Sequence, residues 1–273
     1  MENTLVRSFW LGNCGFRTIM LSLVLSSMTA IRLDGLTKRY EDHVAIDELD
    51  VSVMEGEAFG FLGPNGAGKS TTIDILLDYV RPSSGTATVF GYNAQDNPRE
   101  IHDRIGVLPE GYDLYDRLTG YEHLRLPASL KRVDVDTDRV LDRLGLSQVD
   151  ADRPVGTYSM GMRQRLALGM AIVGDPDLLV LDEPTSGLDP HGISLLKRLV
   201  IEEVARGTTV FFSSHILEHV AETCDRVGII DDGRLKTVAA VEDHTSSLGE
   251  LFDRHTSGSP SEPSGVRSGS RGA

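Results

Sequence analysis

The amino-acid sequence predicts an α/β fold with a mostly parallel sheet, a small antiparallel β layer and a helical lobe. Residues 58–62 are an apolar run that leads through a glycine-rich loop into an amphipathic segment, which indicates strand, loop and helix. Residues 178–181 are a second continuous apolar run, as expected of a parallel strand buried on both faces. Residues 31–53 instead alternate between apolar and polar positions, which is typical of antiparallel strands. A charged stretch from about 118 to 146 is predicted to be mostly helical and to form the lobe.

The glycine-rich loop matches the pattern G-x-x-x-x-G-K-[ST], which cradles the phosphates of a nucleotide. A triphosphate carries several negative charges on neighbouring oxygens, and Gly66 and Gly68 allow backbone N–H groups to converge on them. Lys69 adds a positive charge for the β and γ phosphates, and Ser70 offers its hydroxyl to Mg²⁺. The helix that begins near Lys69 points the positive end of its dipole at the anion. The pattern predicts a P-loop NTPase core with the nucleotide-binding residues Gly63, Pro64, Asn65, Gly66, Ala67, Gly68, Lys69, Ser70 and Thr71.

Two carboxylates, Asp182 and Glu183, follow directly on the buried apolar run. Carboxylates there are costly unless they meet a cation or water at the carboxyl end of the strand. Asp182 suits the Mg²⁺ shell, and Glu183 suits the orientation and deprotonation of an attacking water. Surface carboxylates after a strand are the alternative interpretation, just as an ordinary glycine-rich turn is the alternative for the loop.

Three further positions are candidates that also have an ordinary structural explanation. Tyr40 lies ahead of the loop and suits stacking on an adenine ring, although a lone tyrosine here is more often a strand residue of the β layer. Ser159 is a good N-cap and would present a hydroxyl and free N–H groups, but a plain helix cap has the same pattern. His215 follows an apolar strand and reaches the same sheet edge, where a sensor of the γ phosphate fits better than a metal pair with His219.

The composition is acidic, with 41 Asp and Glu against 27 Lys and Arg and a formal net charge of -14. This charge argues against broad electrostatic binding to nucleic acid, so no nucleic-acid partner is expected. The basic residues are mainly arginine, and an acidic, lysine-poor surface resembles that of proteins adapted to high salt; an ordinary acidic protein is the alternative. The cysteines, Cys14 and Cys224, provide no disulfide framework, which favours a reducing compartment.

The chain is predicted to divide into three parts. Residues 1–28 are interpreted as an N-terminal extension outside the working domain, because their two apolar runs are shorter than the roughly 20 residues needed to span a bilayer. A secretory signal is the alternative, but it would send an ATP-binding loop to a place without ATP. Residues 29–255 form the ATPase domain, with the helical lobe at about 92–165, and the Ser-, Gly- and Pro-rich residues 256–273 are predicted to be disordered.

Taken together and in order, these segments resemble the nucleotide-binding subunit of an ABC (ATP-binding cassette) transporter. The resemblance covers roughly residues 29–255, and it is carried by residues 63–71, 158–165, 178–184, 186–190 and His215. By this resemblance, Tyr40 falls where the family stacks an aromatic side chain on adenine. Ser159 and Gly161 fall in the signature motif, Asp189 falls in the loop that crosses between subunits, and His215 matches the histidine that contacts the γ phosphate.

The chain departs from the family pattern at two places. The signature usually reads LSGGQ, whereas this chain has Tyr158-Ser159-Met160-Gly161-Met162, which keeps the serine and the second glycine. The usual lid glutamine is replaced by Glu110, which can still meet Mg²⁺ or water but cannot donate a hydrogen bond as an amide does.

The resemblance implies a subunit that binds and hydrolyses ATP with Mg²⁺ and dimerises around ATP to drive a separate polytopic membrane permease. The second subunit would be another copy of the chain or a paralogous ATPase subunit, and residues 111–124 would follow the lid where the permease docks. The expected location is cytoplasmic, peripheral on the inner face of the cell membrane, in the exporter-like branch. The alternatives are a soluble ABC-type ATPase acting in DNA repair or translation, and a nucleotide-binding regulatory module without turnover.

Overall fold

The described chain contains both strands and helices, as the sequence predicts. The computed structural model describes residues 29–241, 249, 250 and 252. The predicted extension, residues 1–28, and the predicted tail, residues 256–273, lie outside the described residues. The strands are β1 (Thr29–Tyr40), β2 (His43–Met54), β3 (Ala58–Leu62), β4 (Ser84–Val89), β5 (Tyr92–Asn93), β6 (Ile105–Leu108), β7 (Leu178–Asp182), β8 (Thr209–Ser214), β9 (Arg226–Asp231) and β10 (Arg234–Ala240). The helices are α1 (Lys69–Leu76), α2 (Pro98–His102), α3 (Gly120–Lys131), α4 (Thr137–Leu144), α5 (Gln148–Ala151), α6 (Met160–Ile172), α7 (Pro190–Ala205) and α8 (Leu217–Ala221), and a 3₁₀ turn spans Val155–Thr157.

A six-stranded sheet in the order β10-β9-β3-β8-β7-β6 forms the centre of the described chain. Neighbouring strands from β9 to β6 are parallel, whereas β9 and β10 form an antiparallel hairpin. In the register of the sheet, Leu62 lies opposite Ser214, and Asp182 lies opposite Ser213. The carboxyl ends of β3, β7 and β8 therefore meet at one edge, where α/β sheets hold their ligands.

A four-stranded antiparallel sheet in the order β2-β1-β4-β5 forms the predicted small β layer. Strands β1 and β2 pair along most of their length, with Leu36 opposite Leu49 and Tyr40 opposite His43. The pairing brings the end of β1 and the start of β2 together beside α1. These sheets and the helices confirm the α/β class predicted from the sequence, with its mostly parallel sheet and separate antiparallel layer.

Different hydrophobic clusters cover the two faces of the six-stranded sheet. Because successive side chains of a strand point to opposite faces, Phe59 and Phe61 of β3 pack on one side and Leu62 on the other. The ring of Phe211 lies between the two phenylalanines, with centroid separations of 6.0 Å and 5.3 Å. Full burial of each such side chain stabilises the fold by about 2 kcal/mol. This packing holds β3 and β8 rigidly under the loop that follows β3.

The helical lobe packs on α6, the helix that follows the predicted signature residues. Gly169 lets α4 approach α6 closely, since a Cβ at this position would lie 2.4 Å from Cδ1 of Leu144. The lobe helices α3, α4 and α5 lie between Gly120 and Ala151. The wider range 92–165 expected for the lobe also contains β6, which belongs to the six-stranded sheet.

Within the described part of the chain, none of the helices combines the length and the apolar character that crossing a membrane requires.

Candidate functional site

The path of the loop between β3 and α1 depends on its glycines. Gly66 and Gly68 have φ angles of 82° and 106°, in the left-handed region that favours glycine. A Cβ on Gly68 would lie 2.6 Å from the carbonyl oxygen of Ala45, whereas no heavy atom of the described residues lies within 4 Å of a Cβ on Gly66. Helix α1 begins at Lys69 with no side-chain cap, so its first N–H groups are available to an anion.

The loop also contacts β9 and the turn that follows β9. A Cβ on Gly63 would lie 2.2 Å from the carbonyl oxygen of Ile230, so the loop and β9 are in close contact. The N–H group of Ala67 donates to the carbonyl oxygen of Pro64, at 3.2 Å, and its carbonyl oxygen accepts from the N–H group of Gly233, at 3.1 Å. The hairpin between β9 and β10 thereby braces the loop.

Lys69 is buried at the base of the loop, with its charge directed at the carboxyl end of β7. Its Nζ donates to the carbonyl oxygens of Gly63, at 2.8 Å, and Pro64, at 3.2 Å. The same Nζ lies 3.2 Å from Oε1 of Glu183, and each side chain is 5% exposed. A cation and a carboxylate therefore face each other in a site that is largely shielded from water.

Asp182 is buried beside the start of α1. Its Oδ1 accepts a hydrogen bond from the hydroxyl of Ser213, and its carboxylate is also hydrogen bonded to Ser70. Burial raises the pKa of Asp182 above its ordinary value, and these hydrogen bonds offset part of the shift. The pKa of Asp74, which lies one helical turn after Ser70 in α1, is also raised, mainly by burial and then by the charge of Asp182. The hydroxyl and carboxylate oxygens at this point are the ligand types that Mg²⁺ prefers, so the donor set fits that ion.

Glu183 has a strained backbone that positions its carboxylate between a lysine and a histidine. Its φ angle of 46° is unusual for a residue other than glycine. The N–H group of Glu183 donates to Oγ of Ser213, at 3.1 Å, and its Oε2 lies 2.9 Å from Nδ1 of His215. Among the described residues, no group donates a hydrogen bond to Oε1, which faces Lys69. One carboxylate oxygen is therefore held by the histidine, and the other faces the lysine.

A cavity of about 420 Å³ opens in front of the loop and brings most of the predicted residues together. It is lined by Tyr40, His43, Ala45, Asn65, Gly66, Gly68, Lys69, Ser70, Thr71, Glu110 and Glu183. Tyr40 is the last residue of β1, is 43% exposed, and has Nζ of Lys38 4.7 Å from the centroid of its ring. The lining thus combines an exposed aromatic ring with a lysine and two carboxylates.

Eight predicted residues are absent from the lining of this cavity in the described chain: Gly63, Pro64, Ala67, Asp182, His215, Ser159, Gly161 and Asp189. The first five belong to the loop or lie at the carboxyl ends of β7 and β8, whereas the last three belong to neither. Ser159 is exposed and caps α6, as predicted, by accepting a hydrogen bond from the N–H group of Met162, at 3.2 Å. Asp189 is exposed and caps α7 by accepting from the N–H group of Gly192, at 2.7 Å. Around Gly161, no heavy atom in the described part of the chain lies within 4 Å of the position that a Cβ would take. Ser159, Gly161 and Asp189 are thus accessible, but they do not line the cavity in the described chain.

Three residues of the site, His43, Ala45 and Ser213, were not predicted from the sequence. His43 and Ala45 line the cavity because the hairpin turn places His43 opposite Tyr40. That register was available from the short turn between two alternating segments. Ser213 acts through its hydroxyl on both Asp182 and the N–H group of Glu183, an arrangement that depends on the pairing of β7 with β8.

Comparison with known proteins agrees with this geometry. A family model described as ABC transporter matches residues 46–186. The bacitracin transport ATP-binding protein BcrA of Bacillus licheniformis is 42% identical over 210 residues, which cover 76% of this chain and 68% of that protein. A fluoroquinolones export ATP-binding protein of Mycobacterium tuberculosis is 42% identical, with 75% and 69% covered. The daunorubicin/doxorubicin resistance ATP-binding protein DrrA of Streptomyces peucetius is 40% identical, with 81% and 68% covered.

Solved structures show the same fold. The structure of an ATP-binding subunit of an ABC transporter is 30% identical and has a TM-score of 0.72, with 81% of this chain and 94% of that chain covered. A dimeric post-hydrolysis state of an ATP-binding cassette, bound to ADP and Pi, has a TM-score of 0.69 at 24% identity, with 77% and 98% covered. The motifs, the fold and these relatives agree, and the chain belongs to the ABC transporter family as one of its ATP-binding, ATP-hydrolysing subunits.

Proposed function

We propose that two ATPase subunits, either two copies of this chain or this chain and a paralogue, close around ATP and drive a separate membrane permease. The observation that carries the proposal is that one part of the predicted site lines the cavity, whereas another part is accessible but does not line it in the described chain. The cavity contains Lys69 and Glu183, whereas Ser159 and Gly161 are accessible elsewhere on the chain. A second subunit would bring its Ser159 and Gly161 to the open side of the cavity and complete the phosphate site.

In this proposal, the residues of the cavity bind ATP from one end to the other. The ring of Tyr40 stacks on the adenine, and the N–H groups of the loop and of the start of α1 bind the phosphates. Ser70 and Asp182 would hold Mg²⁺, with Glu110 as a further oxygen ligand. When bound, Mg²⁺ would offset charge on the β- and γ-phosphate oxygens.

Hydrolysis then follows from the arrangement of three side chains. Lys69 turns from the carboxylate of Glu183 toward the arriving γ phosphate, which leaves Oε1 of Glu183 free. That oxygen orients a water in line with the bond to be broken and accepts its proton, yielding ADP and phosphate. His215 holds the other oxygen of Glu183 and contacts the γ phosphate. A shielded site makes these charge interactions stronger than they would be in water.

The substitution Glu183→Gln tests the proposal because it removes the base and preserves the shape of the side chain. We expect ATP binding to persist, turnover to fall about 10²- to 10⁴-fold, and an ATP-bound dimer to accumulate. Light scattering and turnover assays at saturating ATP measure both effects. A variant that stays monomeric at high protein concentration contradicts the sandwich, and one that keeps full turnover contradicts the role of Glu183. A chain that binds Mg-ATP but never hydrolyses it, even with its membrane partner, would instead be a regulatory module.

We also propose that the chain works at the cytoplasmic face of the cell membrane, in export. The names of three relatives refer to bacitracin transport, fluoroquinolone export and daunorubicin/doxorubicin resistance, which are chemically unlike compounds. The permease is therefore expected to select the cargo, while this chain supplies the energy. Mass spectrometry of the membrane protein that co-purifies with the chain identifies the partner, and salt-sensitive binding of the purified chain to nucleic acid would instead favour a soluble ATPase of DNA repair or translation.

A further inference from the structure

The buried side chain of Gln164, in α6, joins three segments that surround the ATP site. Its Oε1 accepts a hydrogen bond from the hydroxyl of Tyr112, at 2.5 Å. Its Nε2 donates to the carbonyl oxygen of Pro184, at 2.9 Å. The amide orientation is fixed by chemistry, since a proline carbonyl can only accept and the tyrosine hydroxyl must then donate. Both ends of the amide are thus satisfied in the interior of the protein.

Each partner of Gln164 adjoins a residue of the candidate site. Pro184 follows Glu183 directly, and Tyr112 lies two residues after Glu110. Gln164 itself belongs to the helix that Ser159 caps. One side chain therefore connects three parts of the protein. They are the backbone next to the proposed base Glu183, the segment from Glu110 to Tyr112 (the lid segment), and the helix α6 that Ser159 caps.

The contact with Pro184 has a specific consequence because Glu183 is conformationally strained. Its positive φ angle persists only if neighbouring groups hold the backbone there. On the amino side, the N–H group of Glu183 is bound to Oγ of Ser213. On the carboxyl side, the carbonyl group of the next residue is bound to Nε2 of Gln164. The two hydrogen bonds flank the strained residue and fix the direction of its carboxylate.

The surroundings of the amide make the link difficult to break. A narrow gap beside Gln164 is lined largely by leucines, including Leu108, Leu168 and Leu188. In such apolar surroundings, loss of one partner leaves a buried polar group unpaired. Burial also raises the pKa of Tyr112 to about 12, so its hydroxyl remains a neutral donor at physiological pH.

We propose that Gln164 is a positioning residue for Glu183, and that through Tyr112 it makes the placement of that carboxylate depend on the segment after Glu110. The inference rests on the proposed role of Glu183 as the base. A movement of the lid segment would be transmitted by one hydroxyl and one amide to the carbonyl of Pro184. The link lies within a single subunit, so it acts before a second subunit is bound.

Two substitutions break the link at different points. Gln164→Met keeps the approximate size of the side chain but removes both hydrogen bonds, and Tyr112→Phe removes only the hydroxyl. The matched control is Tyr121→Phe, because that hydroxyl donates to Oδ1 of Asp138, at 2.7 Å, on the same lobe but away from the cavity. Steady-state ATPase assays, nucleotide titrations and thermal unfolding are measured on the full chain.

We expect Gln164→Met to lower kcat by about 10- to 100-fold, as a small misplacement of a catalytic group does, with an unchanged KM for ATP. Tyr112→Phe should lower kcat by a smaller factor, and the double variant should be no slower than Gln164→Met, because the two contacts act in series. Tyr121→Phe should leave kcat unchanged.

The proposal is overturned if kcat stays at the level of the original protein in Gln164→Met and Tyr112→Phe, or if the losses match those of Tyr121→Phe. It is also overturned if KM and the melting temperature change while kcat does not, since that pattern indicates a purely structural contact. Glu183→Gln distinguishes this failure from that of the proposed function. If Glu183→Gln abolishes turnover and the Gln164 variant does not, only the positioning role is wrong.

Discussion

Nζ of Lys69 and Oε1 of Glu183 lie 3.2 Å apart in a buried ion pair. The pair joins the residue proposed to bind the phosphates to the residue proposed to activate water. Without a nucleotide, each charge therefore compensates the other inside the protein. Removing one member of a buried pair leaves the other charge buried without a partner. These residues are therefore expected to affect stability as well as catalysis.

Lys69→Met should destabilise the nucleotide-free chain more than Glu183→Gln does. The methionine variant leaves the Glu183 carboxylate buried without its cation, at a cost of about 3–5 kcal/mol. The glutamine variant leaves Lys69 bound to the carbonyl oxygens of Gly63 and Pro64. Urea unfolding without nucleotide measures the difference, and the double variant should recover part of the loss. Losses that simply add in the double variant would show that the pair is not coupled in the folded chain.

Gly161→Ala should leave the isolated chain stable and prevent its ATP-driven association. Among the residues that the structure describes, no heavy atom lies within 4 Å of the place that the added methyl group would occupy, and alanine favours a helix more than glycine does. In the proposed dimer, in contrast, the added methyl group would lie where Gly161 of one subunit contacts the phosphate bound to the other subunit. Thermal unfolding and sedimentation with Mg-ATP in a Glu183→Gln background measure the two properties. Gly169→Ala is the contrasting control, because its Cβ would lie 2.4 Å from Leu144 and should lower stability itself. Normal association of the Gly161 variant would argue against the shared site.

The sequence was sufficient where the chemistry is local. The loop pattern placed a strand before Gly63 and a helix at Lys69, and Ser159 proved to be the N-cap of α6. The left-handed backbone of Glu183 was not predictable, because the hydrogen bonds around it are to distant segments: Glu183 donates to Ser213 of β8, and the next residue, Pro184, accepts from Gln164 of α6. Contacts between distant segments, such as Tyr112 with Gln164, leave no periodic pattern in the chain.

Glu110→Gln tests whether the carboxylate at the lid position contributes to the metal site. Glu110 is exposed and lines the cavity, so it can approach an ion bound near Ser70. Since an amide oxygen is a weaker ligand than a carboxylate, the Mg²⁺ concentration for half-maximal ATPase activity should rise severalfold. ATP binding without Mg²⁺ should not change. The matched control is Asp113→Asn, an exposed carboxylate three residues later that is not part of the cavity lining within the described chain. An unchanged Mg²⁺ requirement would remove Glu110 from the site.

His219 should make the stability of the chain depend on pH near neutrality. Its Nδ1 lies 2.9 Å from Oγ1 of Thr185, two residues after Glu183. Burial, and then the charge of Lys197, lower the pKa of His219 below its ordinary value of 6.5, although Glu218 acts in the opposite direction.

The direction of the pH effect on stability depends on whether the folded or the unfolded chain binds the proton on His219 more tightly. Because the pKa is lower in the folded chain, the unfolded chain takes up the proton first as the pH falls through 6.5. Above that pH, His219 is neutral in both the folded and the unfolded chain, so it does not lower the stability. Below that pH, the folded chain loses stability until its own His219 is protonated as well. The melting temperature should therefore decrease between about pH 7.5 and pH 5.5, and His219→Gln should reduce the decrease. His191→Gln, an exposed histidine of α7, is the control and should retain the full dependence. If both variants follow the original protein, His219 is not the group that titrates, and the contact with Thr185 is indifferent to its protonation.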